Sequence, residues 1–194
     1  MKELKAFTEC ELQFLKETLE KTSGLLFPDD ATRFGSLKFH FYSTAKANEY
    51  HFQIFWGPHK IFSRKHVQSA NKDELLRDLQ LALKKSANSI VRAAIQYCED
   101  RLNDFLQIEL QPLLNKHGLD LLQLDIKVRQ SKKALPAGAN GGWPVWCLLM
   151  AWTDEFGEFQ EFVHKIVFDV QRKMFNISAA DIVKQFINYR NSLL

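Results

Sequence analysis

The chain has 194 residues, 46% of them apolar and 25% charged, so it is long enough for one well-buried core, and two domains would each be small. Sixteen phenylalanines offset chain entropy when buried, which excludes disorder. A net charge of +3 with a pI near 8.7 falls below the pI of ~9 that marks a basic nucleic-acid domain, so an acidic partner is permitted but not required.

Cys10, Cys98 and Cys147 are odd in number and widely spaced, with no CxxC pair. Neither a disulfide framework nor a zinc knuckle is indicated, and a reducing compartment fits best. The start, MKELKAFTEC, lacks the apolar core of a signal peptide. The longest apolar run, VWCLLMAW over 145–152, is far shorter than the ~20 residues of a spanning helix. The expected location is the cytoplasm, with no membrane partner.

The first element is a helix. Thr8 and Glu11 form a T-x-x-E capping box, with Phe7 and Leu12 as a hydrophobic staple. Leu12, Leu15 and Leu19 repeat at helical spacing, and Gly24 suits the C-terminal stop. LKFHFY and YHFQIFW then alternate with period two around the polar turn TAKANE, which predicts an antiparallel hairpin. Gly57-Pro58 ends it, and KIF adds at most a short third strand.

From Asn71 to about Lys116 the pattern is helical. Asn71 caps, and Leu76, Leu79, Leu83, Ala87, Ile90 and Ala94 form a stripe continued by Cys98, Leu102, Phe105 and Leu106. Unbroken, such a helix is roughly 65–70 Å long at ~1.5 Å per residue. A compact chain of this size is only ~40 Å across. The expectation is a break or kink, at Ser86, Asn88 and Ser89 or a turn before Pro112. The alternative is a protruding helix that makes a homodimer.

LLQLDIKVR predicts another alternating strand. VWCLLMAW is apolar on both faces and so a central strand, and QEFVHKIVFD is a further one. Ser178 and Asp181 cap a last helix with the stripe Ile182, Phe186 and Tyr189. Grouped strands argue for an α+β fold with a mainly antiparallel sheet of five to six strands, against a doubly wound nucleotide fold. The expectation is one domain, 1–194. The halves share a strand-strand-helix order without a sequence repeat.

Between the strands of the second half stands SKKALPAGANGGWPVW. It matches no phosphate-binding glycine motif and leads into a strand, so no helix N-terminus is available. It is read as a strand connection, with a flap or partner loop carried by Lys132, Lys133, Asn140 and Trp143 as the alternative.

Asp125-Ile126-Lys127 has the D-x-K form in which a strand carboxylate holds Mg²⁺ and a lysine orients water. Asp29 and Asp30 are distant candidates for the second carboxylate. The pattern is short enough to recur by chance, as Glu3-Leu4-Lys5 shows. His40 and His51 lie on facing strands, where they can meet as a pair or stand solvated. His164 sits among Phe162, Ile166 and Phe168 and reads as a hydrogen-bonded core residue. Cys98 and Cys147 read as buried and inert, and the acids Asp154, Glu155, Glu158 and Glu161 as a solvated turn.

The densest cluster is basic and aromatic: Trp56, His59, Lys60, Phe62, Arg64, Lys65 and His66. Rings that stack on bases and cations that meet phosphates are what single-stranded nucleic acid requires. Lys38, His40, Tyr42, Lys127 and Arg129 extend the cluster if the sheet faces align; the competing reading is a solvated charge run on a loop.

No catalytic constellation or known family pattern stands in the chain. The leading expectation is a non-enzymatic binding or regulatory module for another macromolecule, first a protein, with no cofactor. Nucleic-acid binding through Trp56, His59, Lys60, Arg64, Lys65, Lys127 and Arg129 is the alternative. Metal-dependent cleavage at Asp125 and a loop-lidded small-molecule site follow in that order.

Overall fold

The computed structural model describes residues 7–27, 37–43, 50–66, 71–119, 123–131, 142–169, 171–172 and 174–193. In chain order these form α1 (Glu9–Ser23), β1 (Leu37–Ser43), β2 (Tyr50–Trp56), β3 (His59–His66), α2 (Lys72–Phe105), a π-helical turn (Leu106–Leu110) and α3 (Gln111–Lys116). Then come β4 (Asp125–Gln130), β5 (Trp146–Thr153), β6 (Phe159–Asp169), β7 (Met174–Asn176) and α4 (Ala179–Asn191). The fold is α+β with antiparallel strands, as expected. The strands number seven among the described residues, and they form two sheets rather than one, ordered β1-β2-β3 and β4-β5-β6-β7. The three-residue strand β7 is too short to show in a periodicity.

Contacts gather the chain into two compact units, Met1–Tyr97 and Cys98–Leu194. Each has the order helix, antiparallel strands, helix, because α2 closes the first unit and its last turns open the second.

In the first unit the capping box forms as read: the Thr8 hydroxyl accepts from the Glu11 N–H while the Glu11 carboxylate accepts from the Thr8 N–H. Gly24 closes α1 in the left-handed region at φ 71°. Along β2, Tyr50, Phe52, Ile54 and Trp56 are buried and alternate with half-buried His51, Gln53 and Phe55. The buried side meets the helices, with the Trp56 ring centroid 5.4 Å from Tyr97 of α2 and 5.8 Å from Phe27. On the same side Arg64 of β3 pairs with Asp78 of α2 at 3.4 Å. The segment read as a charged loop is thus a full strand.

The central helix does not break at Ser86, Asn88 and Ser89. Asn88 and Ser89 are exposed there, so water and not the backbone solvates them, and α2 passes through as regular helix. The irregularity is the π turn just before Pro112. Proline lacks an N–H, and its ring would strike the Ile108 carbonyl in an α-turn. The Gln111 N–H instead reaches back five residues to the Leu106 carbonyl. Leu75, rather than Leu76, begins the stripe. It continues through Leu79, Leu83, Ile90, Cys98, Leu102 and Leu110, all buried.

In the second unit β5 is an inner strand between β4 and β6, as its apolar character requires. Leu148, Met150, Trp152, Phe162 and Ile166 face inward and are buried, and Phe186 of α4 meets Trp152 at 5.2 Å and Phe162 at 5.6 Å. The Trp146 indole donates to Glu99 at 3.2 Å, which satisfies its buried N–H. Among the described residues no helix is long and apolar enough to cross a membrane.

Candidate functional site

The first sheet has one face against helices and one face open. Register builds the open face in rungs: Lys38–Phe55–Lys60, then His40–Gln53–Ser63, then Tyr42–His51. A β-bulge between Ile54 and Phe55 absorbs Ile61, so Lys60 and Ser63 stand on one face although two residues lie between them. Phe55 therefore lies between two lysines. Its ring is 4.9 Å from His40, and the Tyr42 ring is 5.1 Å from His51. The Tyr42 hydroxyl and His51 Nδ1 are in hydrogen-bond contact at 3.1 Å, which orients both rings. Tyr42 is 45% exposed, Lys38, His40 and Lys60 are exposed, and Phe55 is half-buried.

Among the described residues, none that makes up this face is acidic. A face with positive side chains and two pairs of rings can neutralise phosphates and offer flat apolar surface to bases.

No family model, curated protein or solved structure matches this chain.

The residues singled out in the sequence part company here. Trp56 is 1% exposed, so its ring belongs to the core and offers no stacking surface. His59 stacks on Tyr97 at 4.5 Å, and Arg64 is held by Asp78, both on the helix side of the sheet. Lys60 alone of the described cluster joins the open face, beside Lys38, His40 and Tyr42. His40 and His51 do not pair: Gln53 lies opposite His40, and Tyr42 opposite His51. Phe55 was missed as a site residue although the alternation of YHFQIFW already places it with His51 and Gln53.

Lys127 and Arg129 belong to β4 in the second unit and stand on the open side of the other sheet. Asp125 forms an ion pair there with Lys127, so the lysine neutralises the carboxylate proposed for a metal. Among the described residues no group of three His, Cys, Asp or Glu side chains is placed to hold a metal ion. A depression of about 390 Å³ beside Asp125 also takes in Asp154 and Glu155. Asp154 is occupied with its own turn: it accepts from the Phe156 and Glu158 N–H groups and the Gln160 amide. Those bonds, the Gln160 amide foremost, hold its carboxyl below the usual range.

Trp143 is buried against Trp146, Phe168 and Phe175 and is core, not flap. Lys132, Lys133 and Asn140, like Asp29, lie outside the described residues. The connection they belong to joins β4 to β5, which pair directly. Burial pushes the Cys98 thiol well up, with the Glu99 charge adding to it, so it is no nucleophile. His164 is hydrogen-bonded to Gln185 of α4 at 3.1 Å.

Proposed function

We propose that this protein is a non-enzymatic binding module and that the open face of its first sheet takes single-stranded nucleic acid. The observation that supports this is the face itself, without an acid among its described residues, with Phe55 between Lys38 and Lys60 and the Tyr42–His51 ring pair further along. A double helix keeps its bases stacked inside, whereas a single strand lays them on exposed rings, so rings on a flat basic face favour the single strand. A protein partner, the first expectation from the sequence, is the second reading; the mixed open face of the second sheet favours it. The free cysteines Cys10, Cys98 and Cys147 fit a reducing compartment, and the cytoplasm is kept as the location.

Fluorescence anisotropy of a labelled oligonucleotide of mixed sequence, at two salt concentrations, tests the reading. Single strands should bind more tightly than the duplex. Each of Lys38→Ala and Lys60→Ala should lower the salt slope by about 0.7. Phe55→Ala should weaken binding by about fivefold to a hundredfold, from the ~1–3 kcal/mol of one stacked base. Binding indifferent to salt, or to all three substitutions, overturns the assignment.

A further inference from the structure

The second sheet also leaves one face open, and its rungs follow a definite order. Beside the turn after β5 stands Phe159, 71% exposed. The rung Asp125–Ala151–Glu161 is next, acidic at both edges. Then comes Lys127–Leu149–Val163, with Val163 47% exposed, and then Arg129–Cys147–Lys165, basic at both edges. Val167, half-buried, closes the series on β6.

We infer that this face is an isologous interface with a second copy of this chain. A two-fold axis lying in the interface and perpendicular to the strands sets each strand over itself and reverses the rung order. It places Asp125 over Arg129 of the second copy and Glu161 over Lys165 of the second copy. Leu149 and Val163 meet their own counterparts at the axis, and Phe159 covers Val167. An axis parallel to the strands sets acid over acid and base over base. The face is self-complementary for the first operation alone, which is the argument for a second copy over an unrelated protein. Lys127 meets Lys127 across the axis, but Asp125 of its own chain neutralises each of them.

The apolar stripe of α2, the other surface that suggested a dimer, is buried inside the chain. The sheet face, in contrast, has at its centre the half-buried Leu149 and the exposed Val163, between an acidic and a basic rung, the anatomy of an association surface. Three strands ~4.8 Å apart and about nine residues at ~3.4 Å make it roughly 15 by 30 Å, below standard interface size. A contact that small belongs to weak, reversible association. Twist turns packed sheets by about 30°, so the middle rungs carry the pairing and the outer ones slip.

Sedimentation equilibrium without nucleic acid, from sub-micromolar to hundreds of micromolar protein, tests this independently of the first sheet. The wild type should dimerise reversibly. Glu161→Lys should weaken the dimer at least tenfold, because symmetry installs two repulsive pairs, and Lys165→Glu should do the same. The double variant Glu161→Lys with Lys165→Glu should restore it. Circular dichroism checks that each variant folds; Val163→Lys, at an exposed position on the axis, carries the test if the charge variants do not. A wild type monomeric throughout, a dimer indifferent to these changes, or a folded double variant without recovery overturns the inference.

Discussion

Gly24 ends α1 at φ 71°, with its N–H bonded to the Glu20 carbonyl at 2.8 Å. Nothing lies within 4 Å of the place a Cβ would occupy, so a side chain there meets backbone strain and no clash. Gly24→Ala should therefore cost about 1 kcal/mol, read as a fall in the urea midpoint at unchanged slope, and Gly24→Asn less. At the other end of α1, Glu11 accepts from Lys72 at 2.7 Å and from the Thr8 N–H at 2.6 Å. Lys72 first, then Thr8, hold its carboxyl below the ordinary value of 4.5. A carboxyl lowered by folding contributes stability that is present above about pH 4.5 and lost as pH falls through the lowered folded value. Glu11→Gln should flatten the stability profile in that acid window and leave less to be lost, and added salt should mute the difference. Denaturant midpoints measured across acid pH check both.

At the scale of the element, β2 shows what one strand does with two faces. Trp56 fills the core, and Phe55 beside it belongs to the open face. Trp56→Ala should cost about 3–5 kcal/mol, whereas Phe55→Ala should cost much less, under about 1 kcal/mol. Thermal melts of the two variants check the difference, and only the second is informative about binding. The alternation of β1 and β2 and the caps at Thr8, Asn71 and Ser178 were legible because each is a local signal. Strand β3 was not. Its bulge inserts Ile61 and breaks the period-two rhythm, so HKIFSRKH reads as a charge run. The same bulge brings Lys60 round to join Lys38 beside Phe55. The proposed binding face was thus only half visible: its residues stand in the sequence, but the register that assembles them rests on pairing between strands. The π turn was legible in cause, from Pro112, though not in form, since the helix yielded by widening one turn instead of breaking.

For the molecule as a whole, a helix–strands–helix order occurs twice with different open faces. Among the described residues the first sheet exposes lysines, histidines and rings without acids. The second exposes an apolar centre between an acidic and a basic rung. Composition alone averages these into a net charge of +3 and conceals both. The two proposals therefore rest on separate faces, one for a polyanion and one for self-association, and substitutions on one leave the residues of the other unchanged.

The division between the two units falls at Tyr97 and Cys98, inside α2. Repeated units are commonly joined by a loop that recombination or a protease can enter. Here the border is crossed by continuous i→i−4 hydrogen bonding, and any cut leaves about four donors and four acceptors without partners. The second half would also inherit only the last turns of α2, Cys98–Phe105, and an α-helix that short is marginal in isolation. The halves of this chain are therefore poor candidates for shuffling: a fragment boundary drawn at the seam destroys an element that belongs to both.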